Sequence, residues 1–146
     1  MAEANTSKGL ERMPKVIGLM PFAAHLGLEY IEGGEGWVKL RLPFKKENTT
    51  MADALHGGAI ASLIDTTGSM AAWTTSEIGN QRYFGSTVGI TVNYLSGVLA
   101  QDCVAEGRVL KRGKEIIYSE VRVTDAAGKI CAQGTVIYRI VDRGEA

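Results

Sequence analysis

Between Leu55 and Ser76 the chain carries one formal charge, Asp65. The rest of that stretch is apolar or small, and a helix built from it has no clear polar face. Such a helix must be covered nearly all round. A bilayer is one cover, but the stretch holds three glycines and many Ser and Thr residues. Its acid would also sit near the bilayer centre, at a cost of roughly 3 kcal/mol. Burial inside a globular protein is the better solution. With 146 residues the chain suits one domain, able to bury roughly two-thirds of its unfolded surface.

The flanking segments offer the cover. In "WVKLRLPF", Val38, Leu40 and Leu42 alternate with Trp37, Lys39 and Arg41, the pattern of a half-buried strand. "LEYIEGGEG" reads as its hairpin partner, turning near Gly33-Gly34. "KKENTTMADA" is a polar loop. After the helix, read over about His56 to Thr75 with Gly79 and Asn80 as stops, come four strand patterns. "STVGITVNYL" puts Val88, Ile90, Val92 and Tyr94 on one face. "DCVAEGRVL", "EIIYSEVRV" and "ICAQGTVIYRIV" follow, with turns at "KRGK" and "DAAG". Short turns between consecutive strands predict an antiparallel meander. Ahead of all this, residues 1–8 read as a loose tail, and the segment to Tyr30 as short helical turns broken at Pro14 and Pro21. The expected organisation is an N-terminal tail with short helical turns over 1–25 and a single domain over 26–142. The expected architecture is an α+β hot-dog fold, a curved antiparallel sheet wrapped around one long central helix.

Composition narrows the function. Sixteen basic residues balance sixteen acidic ones, and no run of five like charges occurs. This argues against a nucleic-acid partner and against electrostatic membrane binding. Cys103 and Cys131 belong to no metal-spacing motif, and only two histidines exist, so no metal is expected. The cysteines read as reduced core thiols of a cytoplasmic protein. The apolar run Val16 to Met20 is too short for a signal-peptide core. His25 reads as a surface or packing residue.

The chemistry concentrates in "HGGAIASLID", residues 56–65. Gly57 and Gly58 fall at the helix start, where N–H groups lack internal partners and the dipole is positive. They either permit a tight turn against the sheet or let an anionic oxygen approach. Asp65 is a poor mid-helix residue and expensive if buried alone. Small neighbours, Ala61, Gly68 and Ser69, leave a hollow around it. It is held by hydrogen bonds as a structural residue, or it does chemistry. Eight residues of helix span roughly 12 Å, while an oxyanion donor and a base must both lie within about 3 Å of the reacting atoms. One helix cannot supply both. Two antiparallel helices can, Asp65 of one protomer facing Gly57 of another across a twofold axis. If the motif is catalytic, the protein is therefore a homo-oligomer with its sites at the dimer interface, a dimer or a dimer of dimers. A carboxylate and an oxyanion hole suffice to hydrolyse an activated acyl group. A thioester suits them, because a thiol of pKa near 8.5 leaves without strong acid help.

The stretch "HGGAIASLIDTTGSMAA", followed by four strands, resembles the helix motif of the hot-dog-fold acyl-CoA thioesterases of the PaaI-like branch, and is similar to the thioesterase superfamily member 2 group. The likeness runs from about Leu26 to Val141. It implies an acyl-CoA substrate and no cofactor. Asp65 matches the general base or nucleophile, the Gly57 N–H the oxyanion donor, and His56 the residue flanking that hole. Thr87 matches a hydroxyl that holds the water or orients the acid. Thr50, Gly58 and Ser69 fall at substrate-binding positions. Lys111, Arg112 and Lys114 in "VLKRGK" either contact the coenzyme A phosphates or form an ordinary solvated hairpin tip. The chain departs from the family with Thr50 where Asn is common, Asp53 where Gly is common, and Gly97 where Pro is common. The first two bear on His56 orientation and acyl preference.

The leading expectation is a thioesterase for medium-chain or aryl acyl groups. Two other readings use the same fold, a hydratase or dehydratase and a non-catalytic acyl-CoA sensor. Met70, Trp73, Tyr83 and Phe84 either line the acyl pocket or pack the core.

Overall fold

The computed structural model describes residues 2–77 and 81–144, so the expected stops at Gly79 and Asn80 lie outside the described residues. Six strands form one antiparallel sheet in the order β1 (Glu29–Gly34), β2 (Trp37–Leu42), β4 (Cys103–Arg112), β5 (Ile116–Asp125), β6 (Ile130–Asp142), β3 (Tyr83–Tyr94). Helix α3 (Gly57–Trp73) lies in its concave face. This is the hot-dog architecture. Along β2, Val38, Leu40 and Leu42 are fully buried, as alternation requires. On α3, Ala59, Ile60, Leu63, Ile64, Thr67, Gly68, Met70, Ala71 and Ala72 are buried. The strip Ser62, Asp65, Thr66, Ser69 and Trp73 is left half-covered, as are Gly57 and Ala61, and Gly58 is exposed at the helix start. Buried Thr67 returns its hydroxyl proton to the Leu63 carbonyl, 2.6 Å away, which satisfies a polar group inside an apolar helix. Cys103 and Cys131 are free and buried.

Gly68 does not flank a hollow, contrary to expectation. It is buried against β6, where an added Cβ would lie 2.5 Å from Val136 Cβ. It sets how closely the helix approaches the sheet.

Three local expectations are corrected. The β1–β2 turn falls at Glu35-Gly36, not Gly33-Gly34, because Gly33 and Gly34 already pair with Val38 and Trp37. Gly36, at φ 81°, takes the left-handed position. The four C-terminal strands are not a simple meander. β3 pairs with β6, and β2 takes the place beside β4. The segment after β3 crosses the helix start, where Leu55 N–H bonds to Val98 and Ala100 N–H to Asp53.

Helix α1 (Ala2–Leu19) runs straight through Pro14, in place of a loose tail and broken turns. An interior proline costs about 3 kcal/mol. Burial of Met13 and Ile17, one turn apart, offsets it. Pro21 instead opens α2 (Pro21–Leu26), which ends at left-handed Gly27. Met13, Ile17, Ala23 and Leu26 share one core with α3 and the sheet.

Candidate active site

His56 caps α3. Its backbone is extended, and its Nδ1 accepts from Gly58 N–H at 2.8 Å. With Nδ1 accepting, the ring proton sits on Nε2. The His56 carbonyl accepts from Ala59 and Ile60. Gly57 N–H is left as the free donor at the helix start. The Gly57 carbonyl accepts from the Tyr94 hydroxyl at 2.6 Å. The 57–58 peptide is thus held at both ends, its oxygen by Tyr94 and its N–H by His56. Both glycines have a local reason. A Cβ on Gly58 would stand 2.9 Å from His56 Nδ1, and one on Gly57 3.3 Å from the Tyr94 ring. Because His56 occupies it, the Gly58 N–H is not available to a substrate.

Asp65 lies two turns further on, half-buried on the uncovered strip. Its Oδ1 accepts from the Thr87 hydroxyl at 2.7 Å. A β-bulge makes that contact. Tyr94, Val92 and Ile90 stand opposite Ala132, Gly134 and Val136, on the helix-facing side. The register then shifts at Val88, so that Thr87, not Val88, stands opposite Tyr138. The bulge reverses the alternation, takes Val88 off the face the sequence pattern assigned it, and aims Thr87 at α3. Gly89 beside it was the available sequence signal.

The other expected residues are placed as follows. Ser69, one turn beyond Asp65, donates to the Asp65 and Thr66 carbonyls. Thr50 is exposed, and its hydroxyl oxygen accepts from Met51 N–H. Asp53 has φ +58°, a left-handed geometry that explains why glycine suits this position. It forms an ion pair with Lys46. Arg112 is not a free cation. It donates to the Gly113 and Lys114 carbonyls and, at 2.9 Å, to Ser76 Oγ. It therefore fastens the β4–β5 tip to the end of α3 remote from Gly57. Lys111 and Lys114 are exposed at that tip. His25 is exposed, Phe84 is 50% exposed, and Tyr83 packs with Ile117, Tyr138 and Ile140.

Two features were not legible as site features. Tyr94 read only as a strand residue. Tyr138 on β6 accepts from Trp73 Nε1 at 3.0 Å, in an edge-to-face pair. Burial raises the Tyr138 phenol above its usual range. The Trp73 bond opposes that rise and the Asp65 charge adds to it. Tyr138 therefore lies within electrostatic reach of the carboxylate. Beside this pair a cavity of about 280 Å³ is lined by Met13, Val16, Met20, Ser69, Met70, Trp73 and Tyr138.

The fold and the site define a class, a hot-dog sheet wrapped around one helix that carries a half-buried acid and an unpaired N–H at its start. Residues 53–132 match the Thioesterase superfamily, and the chain belongs to it. Human acyl-coenzyme A thioesterase 13 is 34% identical over 106 residues, covering 71% of this chain and 73% of that one. The proofreading thioesterase EntH of Klebsiella pneumoniae is 33% identical over 110 residues, covering 74% and 77%. The E. coli PaaI protein has the same fold, with a TM-score of 0.82 at 17% identity over 94% of this chain and 96% of that one. The chain is a hot-dog-fold thioesterase, a thioester hydrolase. Among the described residues no helix is long and apolar enough to cross a membrane.

Proposed function

We propose that this chain hydrolyses acyl-CoA thioesters in the cytoplasm, at sites built between two copies of itself. The Asp65–Thr87 hydrogen bond carries the reading. It holds one carboxylate oxygen on the uncovered strip of α3 and leaves the other for a water molecule or for the thioester carbon. Asp65 acts as general base on that water, or attacks the carbonyl directly to form a mixed anhydride that water then hydrolyses to the free acid and the Asp65 carboxylate. The Gly57 N–H of the facing protomer receives the developing oxyanion, and His56 Nε2–H flanks it. The thiolate of coenzyme A then departs without an acid. Lys111 and Lys114 meet its phosphates, while Arg112 keeps their hairpin in place.

The need for two copies follows from the helix. Roughly 12 Å of α3 separate Gly57 from Asp65. The edge strand supports the same reading. β6 pairs with one side of β3, and no strand among the described residues pairs with the other. Phe84, Val88, Ile90 and Tyr94 on β3 are each at least 42% exposed. A long apolar edge of this kind calls for a partner strand, and a second β3 across a twofold axis supplies one. The assembly is a dimer or a dimer of dimers.

The test is thiol release from short, medium, long and aryl acyl-CoA by wild type and Asp65→Asn. The variant is expected to fold and to lose turnover by orders of magnitude. Near-normal hydrolysis would remove Asp65 from the mechanism. Acyl-CoA binding without hydrolysis by the wild type would replace the enzyme with a sensor.

A further inference from the structure

The cavity beside Asp65 has no assigned occupant. Its walls come from three elements. Met13, Val16 and Met20 project from α1, Ser69, Met70 and Trp73 from α3, and Tyr138 from β6. Ser69 and Trp73 in that lining have their donors engaged. Ser69 Oγ donates to its own helix, and Trp73 Nε1 donates to Tyr138 Oη. The cavity thus offers mainly apolar surface, three thioethers and two ring edges, and the Tyr138 O–H is the one side-chain donor in this lining without an acceptor among the described residues. Ser69 lies four residues after Asp65 and on the same helix face, so the cavity adjoins the carboxylate.

From this we infer that the cavity is the acyl pocket of the proposed site and that α1 sets the size of acyl group it admits. The inference rests on the thioesterase reading for its substrate but not for its ligand class. An apolar cavity of about 150 Å³ holds one benzene ring. The 280 Å³ found here then admits, by proportion, about ten carbon atoms. The ligand is a compact apolar acyl group, either a single aromatic ring with a short substituent or a medium-length chain. A long-chain fatty acyl group overruns it. The methionines let the wall adjust to rings and chains alike, since thioethers are flexible and contact aromatic edges favourably. Val16 is the most useful probe. It is half-buried, lies on α1 remote from Asp65 in sequence, and touches neither the helix cap nor the Thr87 contact.

The experiment has two readouts. The first is kcat/KM for acetyl-, octanoyl-, benzoyl- and palmitoyl-CoA. Wild type prefers octanoyl- and benzoyl-CoA. Val16→Trp, which fills the cavity, lowers the octanoyl-to-acetyl ratio at least tenfold. Val16→Ala, which enlarges it and favours the helix, raises the palmitoyl-to-octanoyl ratio. The second readout is equilibrium dialysis of radiolabelled octanoate, which needs no hydrolysis. Wild type binds octanoate, and Val16→Trp binds it at least tenfold more weakly. Ratios within twofold of wild type in both variants, with hydrolysis intact, overturn the pocket and leave the thioesterase reading standing. Octanoate binding that Val16→Trp removes, in a protein that cuts no thioester, keeps the pocket and removes the thioesterase reading. Circular dichroism on both variants identifies a misfolded Trp variant, and the Ala variant then decides.

Discussion

Thr87→Val tests whether the edge strand positions the acid. The change is nearly isosteric and keeps a β-branched residue on a strand, so β3 should persist. What goes is the 2.7 Å hydrogen bond from Thr87 Oγ1 to Asp65 Oδ1. Hydrogen bonds to charged groups contribute about 1.5–3 kcal/mol. Thr87 is exposed in the single chain and Asp65 half-buried, so the lower part of that range applies, about 1.5–2 kcal/mol. At about 1.4 kcal/mol per tenfold, kcat should fall roughly 10- to 30-fold, with KM nearly unchanged because the bond does not touch the substrate. The assay is steady-state thiol release with octanoyl-CoA, in a double-mutant cycle with Asp65→Asn. If Thr87 acts through Asp65, adding Thr87→Val to Asp65→Asn costs less than twofold further, since residues acting as a unit are non-additive. The same 10- to 30-fold loss in both backgrounds would show that Thr87 meets the water or substrate by itself. Unchanged kcat in Thr87→Val would refute any role for the bond.

Tyr94→Phe removes the donor that holds the Gly57 carbonyl at 2.6 Å. At about 1 kcal/mol for one hydrogen bond, kcat should fall roughly 3- to 10-fold and Tm by about 2–4 °C, and no change in kcat would mean that His56 alone holds that peptide. Gly68→Ala places a methyl 2.5 Å from Val136 Cβ. Overpacking of about 1–3 kcal/mol, less about 1 kcal/mol of helix propensity, should lower Tm by a few degrees in calorimetry, and Val136→Ala in the same chain should restore it. Burial pushes the Cys103 thiol up to about 12. Its contribution to stability is complete below pH 9 and is lost as pH rises from 9 through 12, because the unfolded thiol ionises first. Tyr138 and Tyr30, both raised by burial, act in the same direction. Urea midpoints that stay constant from pH 9 to 11 would refute this, and native Cys103 should resist thiol reagents at pH 8 that modify the unfolded chain.

Patterns of local origin were legible in the residues. The long helix, its coverage on nearly all sides and the burial of Val38, Leu40 and Leu42 follow from hydrophobic spacing, which acts over neighbouring residues. So does the separation of Gly57 from Asp65, because helix rise is the same wherever the helix lies. From that separation came the expectation of a site shared between copies. The resemblance carried by residues 56–72 added Thr87, whose contact with Asp65 no spacing rule could supply.

Tertiary structure decided what depends on distant partners. The Val88 bulge turns Thr87 inward, and it exists through β3 pairing with β6 instead of its neighbour in sequence. Helix α1 crosses Pro14 only because Met13 and Ile17 find a core made by later residues. The same docking closes the cavity against Trp73 and Tyr138. Arg112, a free cation by composition, is occupied by Ser76 and its own turn. A chain's local periodicity determines which elements form and which face is apolar. Which of those faces meet, and therefore which hydroxyl reaches the acid and what closes the cavity beside it, rests on contacts between residues far apart in sequence, and only the folded sheet brings those together.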